Sequence, residues 1–369
     1  MKIIYISFFK RKDLYSLEEE VKQIKPYYII LEKLAEQHTV LSIANNDKAE
    51  DYVFKGVLYK RIIDKTSLKL PLIKTFRVII KEQPDILIIH SLHFPLQIIY
   101  AHFFLKKSIK ILVQHHAENP FNGLKRKLLN LANKYIDGYL FVSKEMAKEW
   151  VLKQNLIDIK KVFEIMEISS VFSCINKQEA VEITKVNGAN IFLWVGRLNA
   201  NKDPLTVVNA FIDFLQDEID AKLYMIFQTE DLLVDIKKVI AENEIVKNKI
   251  VLLGKKNHTE LLYWYNSADF IVASSYYEGS GTAVCEAMSC GCIPLLSNIP
   301  SFKKMTENAS CGLLFEVGNI KSLVKILHEA ITLDKAIEKE KTLNIYHQHL
   351  SPTAIANNIC NTIEQLNNA

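Results

Sequence analysis

The sequence predicts an α/β protein made of two doubly wound domains. Three observations carry that expectation. The chain has 369 residues, and one domain usually takes about 100–200. Short apolar runs alternate with amphipathic stretches along its whole length, the pattern of buried parallel strands covered by helices. That rhythm lapses once, over 172–189, where polar and small residues collect (NKQEAVEITKVNGA).

Taken in order, the pattern predicts a strand over 3–9, a helical stretch over 18–37 and a strand over 39–43. A helix over 71–81 and a strand over 86–90 follow, the strand announced by Pro84-Asp85. Next come a helix over 95–104, a strand over 109–113 and a helix over 124–135 with Leu124, Leu128, Leu131 and Tyr135 on one face. Lys125, Arg126, Lys127 and Lys134 lie off that face. A strand over 138–142 and a helix over 144–154 complete the first half. In the second half strands are expected over 191–196, 223–227, 250–253, 270–273 and 293–297. Helices are expected over 205–217, 232–243, 259–266, 282–288 and 320–332. The domains expected are 1–172 and 173–350, with a last helical segment over 351–369 whose docking place the pattern does not give.

Composition removes several classes. With 49% apolar and 24% charged residues the chain reads as globular, not disordered or collagen-like. Its richest apolar stretch, 86–105, is broken by His90, Ser91, His93, Gln97 and His102, so no spanning helix is expected. The opening run ends in Lys10-Arg11-Lys12 without a small-residue cleavage site, which favours a buried strand over a secretory signal. Six unevenly spaced cysteines do not form a disulfide framework. Cys285, Cys290 and Cys292 lack the paired ligands of a zinc site, so no metal is expected and the cysteines read as small buried residues of a cytosolic protein. Charge is uneven. Residues 51–134 carry 15 Lys and Arg against 5 Asp and Glu, although the whole chain is only +4. Such asymmetry points to an anionic partner or surface, or to a plain solvated basic face. The basic segments lack interleaved aromatics or a reading module, which argues against nucleic acid.

In open α/β sheets ligands sit beyond the carboxyl ends of strands, so polar residues there are the ones to weigh. The strongest candidate is SSYYEGSGTAVCEAMSCGCIP, 274–294. Here Glu278, Gly279, Ser280 and Gly281 fill a short loop before a helix expected to begin at Thr282. Glycines admit close backbone approach, and a helix start offers unpaired N–H groups to a phosphate. Glu286, one turn further on, can accept paired hydrogen bonds from a ribose diol. The second candidate is WVGRLNANKDP, 194–204, which places Arg197 and Lys202 in one loop after a strand. Two cations there can clamp a diphosphate, and no Asp-x-Asp pair to hold a metal occurs in the chain. The third is His115-His116 after the 109–113 strand, in a loop with Glu118, Asn119 and Pro120; His90 and His93 hold the same kind of place after the 86–90 strand.

GRLNANKDP followed by EGSGTAVCEAMSCGCIP resembles the retaining glycosyltransferases of family 4, whose fold is GT-B, two Rossmann-like doubly wound domains facing each other across a deep cleft. The paired glutamates of that family match Glu278 and Glu286. The likeness continues through ADFIVASS, Gly254-Lys255-Lys256 and SNIPSFKKMTENASCGLLFEVGN, and more loosely through PDILIIH, QHHA and YLFVSKEM. It implies an acceptor-binding first domain and a donor-binding second one, with Arg197 and Lys202 on the donor diphosphate and Glu286 on the ribose. It places Glu278 and the Gly279–Thr282 backbone by the donor sugar and phosphate, Gly254, Lys255 and Lys256 by the base, and His116 by the reacting sugar. His90, His115 and Glu118 fall on the acceptor side.

The activity implied is transfer of a sugar from a UDP- or GDP-sugar to a glycan or lipid-linked acceptor, without cofactor or metal. The place implied is the cytoplasm, peripheral on the cytosolic face of an anionic membrane. A nucleotide-sugar epimerase, a sugar phosphorylase or a non-catalytic partner would use the same scaffold. The chain departs from the pattern twice. Ser7-Phe8-Phe9-Lys10 stands where paired glycines follow the first strand, and Gln228-Thr229-Glu230 stands where a glycine-rich turn is usual.

Overall fold

A computed structural model describes residues 1–11, 15–70 and 72–368. Lys12 of the opening basic run and Pro71, expected at the start of the third helix, lie outside the described residues. The chain divides into two compact units, Met1–Ser169 with Pro352–Ala369, and Ser170–Ser351.

The first unit holds strands β1 (Lys2–Arg11), β2 (Thr39–Asn46), β3 (Glu50–Phe54), β4 (Val57–Ile62), β5 (Ile86–His90), β6 (Lys110–Gln114), β7 (Gly138–Phe141) and β8 (Val162–Glu164). They form one sheet in the order β3-β4-β2-β1-β5-β6-β7-β8, parallel except for the β3–β4 hairpin. Central strands such as β5 are buried at every position, which is why they read as unbroken apolar runs.

Four features depart from the sequence pattern, each for a local reason. The helical stretch over 18–37 is two helices, Leu17–Gln23 and Lys25–Leu34. Pro26 has no N–H to give to a continuing ladder and so sits in the first turn of the second helix. Ser7-Phe8-Phe9-Lys10 is not a loop. β1 continues through it to Arg11 with a bulge between Ser7 and Lys10, and Phe8 is fully buried against Phe76 and Phe94. The β3–β4 hairpin, unforeseen, turns on Lys55 and Gly56, both with positive φ, as two-residue hairpin turns require. Finally, Leu124 and Leu131 on the expected helical face stand 72% and 44% exposed; helix Gly123–Ala132 buries Leu129 and Ala132 instead.

The second unit holds β9 (Asn190–Gly196), β10 (Ala221–Phe227), β11 (Ile250–Gly254), β12 (Phe270–Ala273), β13 (Ile293–Ser297) and β14 (Leu313–Phe315), all parallel, in the order β11-β10-β9-β12-β13-β14. Side chains of β9 alternate between two cores. Phe192 and Trp194 join one apolar cluster, while Ile191 and Leu193 join another on the opposite face. The lapse at 172–189 contains a helix, Lys177–Thr184, capped by the Asn176 side chain. It has one fully buried position, Ala180, too few for a periodic signal. The last helix, Pro352–Asn367, buries Ile355, Ile359 and Ile363 and packs on helix Lys25–Leu34 of the first unit.

One buried ion cluster ties the hairpin to the first helix. Arg61 of β4 is 2% exposed and pairs with Glu20 and, at 3.3 Å, with Glu50. Its guanidinium also donates to the Tyr15 carbonyl at 3.0 Å. Removing one partner of a buried pair strands the other charge, at a cost of about 3–5 kcal/mol. Arg61→Met is therefore expected to destabilise the full chain by about that amount, read as a clear drop in melting temperature.

Candidate functional site

In both sheets the strand order reverses once, between β9 and β12 in the second unit and between β1 and β5 in the first. Helices leave such a switch point toward opposite faces, which opens a crevice at the strand ends. The second unit places both its motifs there. β9 ends at Gly196 and β12 at Ala273, and the two loops that follow are fastened to each other. Asn201 donates to the Tyr277 carbonyl at 2.9 Å, and Tyr276 N–H to the Asn201 carbonyl at 2.9 Å. The Ser274 hydroxyl lies 2.7 and 2.8 Å from the Lys202 and Asp203 carbonyls. Asp203, with φ 45°, then caps helix Pro204–Phe214.

This fastening brings Lys202 against Glu278, whose carboxylate it ion-pairs; both are largely buried. Arg197, from the same loop as Lys202, is exposed and has no ion pair among the described residues. Gly281 takes φ 56° and leaves the first turn of helix Thr282–Ser289 without a side-chain cap. A Cβ there would stand 2.7 Å from the Phe302 ring. Gly279 and Ser280 line the approach to that turn, Ser280 being buried and Thr282 exposed.

Glu286 is 3% exposed. His258 Nε2 donates to its Oε1 at 2.6 Å, and the Tyr265 hydroxyl to its Oε2 at 3.1 Å. The Glu286 hydrogen bond raises the His258 pKa against the opposing effect of burial. Burial, with the Glu286 charge added, pushes the Tyr265 hydroxyl up. Neither partner was singled out in the sequence. They stand seven residues apart, two turns of helix His258–Ser267, which puts them on one helical face but does not by itself point to Glu286. Gly254 ends β11 with φ 69°, followed by exposed Lys255 and half-buried Lys256. Gln228-Thr229-Glu230 follows β10 directly.

The first unit carries a cavity of about 310 Å³ at the ends of β1, β2 and β5, with Ser7, Phe9, Tyr27, His90, His116 and Glu167 among its walls. Four of these side chains form a hydrogen-bonded chain. Glu167 is bonded to His116 Nδ1, His116 Nε2 to His90 Nδ1 at 2.8 Å, and His90 Nε2 to the Tyr27 hydroxyl. Every link is satisfied when each imidazole is neutral with its proton on Nδ1, Tyr27 donating and Glu167 accepting, and equally when His116 is an imidazolium and His90 Nε2–H donates to the Tyr27 oxygen. Tyr27 and Glu167 lie outside the sequence motifs.

His115 and Glu118 are placed differently. His115 is 1% exposed and stacked on Phe141 at 4.2 Å, with Nε2 3.0 Å from the Glu118 carbonyl. Burial lowers its pKa. Glu118 accepts from Leu92 N–H at 3.1 Å and His116 N–H at 2.6 Å. The His116 N–H and the neighbouring His93, His115 and Ser91 side chains outweigh burial and hold its carboxyl far below the usual range. The pair thus pins the loop after β5 to the loop after β6. Of the cysteines, Cys285, Cys290, Cys292 and Cys311 are buried, Cys174 is exposed and Cys360 half-buried. Among the described residues no three His, Cys, Asp or Glu side chains gather as a metal site would require.

Residues 176–348 match the family model for "Glycosyl transferases group 1". The match covers nearly the whole of the second unit. An Escherichia coli UDP-Gal:alpha-D-GlcNAc-diphosphoundecaprenol alpha-1,3-galactosyltransferase is 26% identical, over 59% of this chain and 59% of its own. A Xanthomonas campestris GDP-mannose:cellobiosyl-diphosphopolyprenol alpha-mannosyltransferase is 31% identical over 33% of this chain and 32% of its own. The match thus spans less than two thirds of the first relative and about one third of the second. Among solved structures, Anabaena HepE in complex with UDP aligns with a TM-score of 0.77 at 14% identity, covering 99% of this chain and 100% of that one. A glycosyltransferase from Rickettsia africae aligns at 0.74 with 17% identity, over 99% and 98%. At such identities the likeness is one of fold, and the fold is GT-B.

The His258–Glu286 contact has a pH signature. A histidine whose folded pKa is raised adds stability below its unfolded value, about 6.5, and loses it as pH rises through the folded value. The melting-temperature deficit of His258→Gln is expected to be largest in mildly acidic buffer and to shrink toward alkaline pH. A deficit that is flat, or grows with pH, would contradict the charged pair.

Proposed function

We propose that the protein is a retaining, metal-independent glycosyltransferase of hexosyl groups, taking a UDP- or GDP-sugar as donor and a saccharide on a lipid diphosphate as acceptor. The observation that carries this reading is the fastening of the β9 and β12 loops, which gathers Lys202, Glu278 and the bare turn at Gly281 beside the exposed Arg197 at one switch point. The family match of the second unit supports it, as do the UDP in HepE and the diphosphopolyprenol acceptors named for the two relatives. Such a reaction belongs to cell-surface polysaccharide or glycolipid synthesis, at the cytosolic face of a membrane.

In this reading Arg197 and Lys202 hold the donor diphosphate. An ammonium has three donors, so Lys202 can keep Glu278 and still reach a phosphate oxygen. Departure of the nucleoside diphosphate builds charge on those oxygens, and cations fixed there act mainly in the transition state. The Gly279–Thr282 backbone meets phosphate and sugar hydroxyls, and Gly254 with Lys255 faces the base. Glu286, held by His258 and Tyr265, keeps lone pairs for the ribose diol. Glu278 positions the donor sugar, and the leaving phosphate takes the acceptor's proton on the same face, which retains configuration.

The acceptor saccharide enters the first unit's cavity, where Phe9 and Tyr27 offer ring faces and His90 and His116 offer polar edges. The bulged β1 that carries Phe9 then replaces the usual glycine pair with an aromatic wall. His115 and Glu118 act by holding the His116 loop.

Each of Arg197→Ala and Lys202→Ala is expected to lower turnover by about 10²–10³-fold, the usual loss for one preorganised donor. Near-wild-type turnover in either removes the clamp. A thermal shift with UDP, GDP, ADP and dTDP in EDTA is expected to pick out one nucleotide, since only a ligand bound to the folded state stabilises it. No shift with any of them would count against the donor site.

A further inference from the structure

The amphipathic helix Gly123–Ala132 carries the unexpected feature of the first unit: its apolar stripe is only partly covered, with Leu128 and Tyr135 half-buried and the rest exposed. Leu124 is 72% and Leu131 44% exposed, and Phe103, at the end of helix Pro95–Phe104, is 68% exposed. These belong to one ridge. The two helices pack together, and Tyr135, one turn beyond Leu131, stacks on His102 at 4.1 Å and meets Phe103 edge-on at 5.9 Å.

The ridge is rimmed by cations. Lys106, Lys107, Lys127 and Lys134 are exposed, and none has an ion pair among the described residues. A cavity of about 160 Å³ opens beside Tyr135, with Lys106, Lys107, Lys134 and Lys161 on its walls. Asp137 also lines it, but Lys110 stands 3.7 Å from that carboxylate and Ile111 N–H donates to it at 2.8 Å.

We propose that this ridge docks on an anionic lipid bilayer, with Phe103, Leu124 and Leu131 entering the interface and the four lysines meeting headgroup phosphates. Apolar residues on one helical face with Lys and Arg beside them are what the interfacial region of a membrane binds. No helix among the described residues is long and apolar enough to cross a membrane, so attachment by this ridge is to the surface. A second copy of the chain is a poor occupant, because a two-fold contact would set the same lysines against each other. The inference deepens the reading above, and rests on it for why a bilayer should be present: the acceptor is held there by its lipid.

The test floats the full chain with vesicles of phosphatidylcholine alone and with roughly one third phosphatidylglycerol, in low and high salt. Binding is expected to anionic vesicles in low salt and to weaken as salt screens the lysines. Leu124→Ser/Leu131→Ser and Lys127→Glu/Lys134→Glu are each expected to weaken it by at least about tenfold. Val234→Ser, at an exposed position of the second unit, should leave it unchanged. All variants should keep the wild-type melting temperature and nucleotide-induced shift. Failure to float in low salt, or variants that float like wild type, would overturn the proposal. So would a concentration-dependent dimer abolished by Leu124→Ser/Leu131→Ser. The nucleotide shift is read separately. Flotation without any nucleotide shift would sink the transferase reading and leave the docking surface standing; a nucleotide shift without flotation would do the reverse.

Discussion

The hydrogen bonds between the loops after β9 and β12 are the constraint on which the second unit's site depends. Parallel strands on either side of a switch point send their helices to opposite faces, and the loops between would otherwise part without touching. Asn201 and Ser274 close that gap at the backbone, through bonds to Tyr277, Lys202 and Asp203. Two motifs roughly 80 residues apart in the chain then act as one surface, with the Lys202 ammonium on the Glu278 carboxylate. Asp203 and Gly281 both take left-handed backbone conformations at the helix starts. Gly281 does so at no steric cost, whereas the strain at Asp203 is kept because the surrounding structure over-determines it.

Charge in the molecule is sorted by depth. Buried carboxylates have fixed partners: Glu20 has Arg61, Glu118 has backbone N–H groups, and Glu286 has His258 and Tyr265. Each partner offsets a desolvation cost that an isolated carboxylate could not bear. Exposed Lys107 and Lys134 beside Tyr135 have no ion pair among the described residues and remain available to an external anion. The first unit thus combines a polar cavity at the carboxyl ends of its strands with an apolar, basic ridge on its helices.

Comparison with the sequence pattern shows which signals carry structure. Strands β5, β6, β9, β10, β12 and β13 were legible because burial on both faces makes them unbroken apolar runs. The β3–β4 hairpin, alternating and half-exposed at the sheet edge, was not, and neither was the polar helix Lys177–Thr184. The bulge in β1 was hidden for another reason. Whether Phe8 turns inward depends on Phe76 and Phe94, which lie far along the chain.

The sequence by itself determined the two α/β units, the glycine-bearing turn at Gly279–Thr282 and the cations at Arg197 and Lys202, because spacing and residue type within one loop are local properties. Tertiary structure alone decided that Glu286 is held by His258 and Tyr265. It also decided that His115 stacks in the core while His116 joins Tyr27, His90 and Glu167, and that Leu124 and Leu131 face outward. Adjacent residues after a strand point to opposite sides of the sheet, so two neighbouring histidines read alike in sequence and diverge in space. Which side holds a core, and which stripe of a helix finds a partner, is set by the elements packed against it.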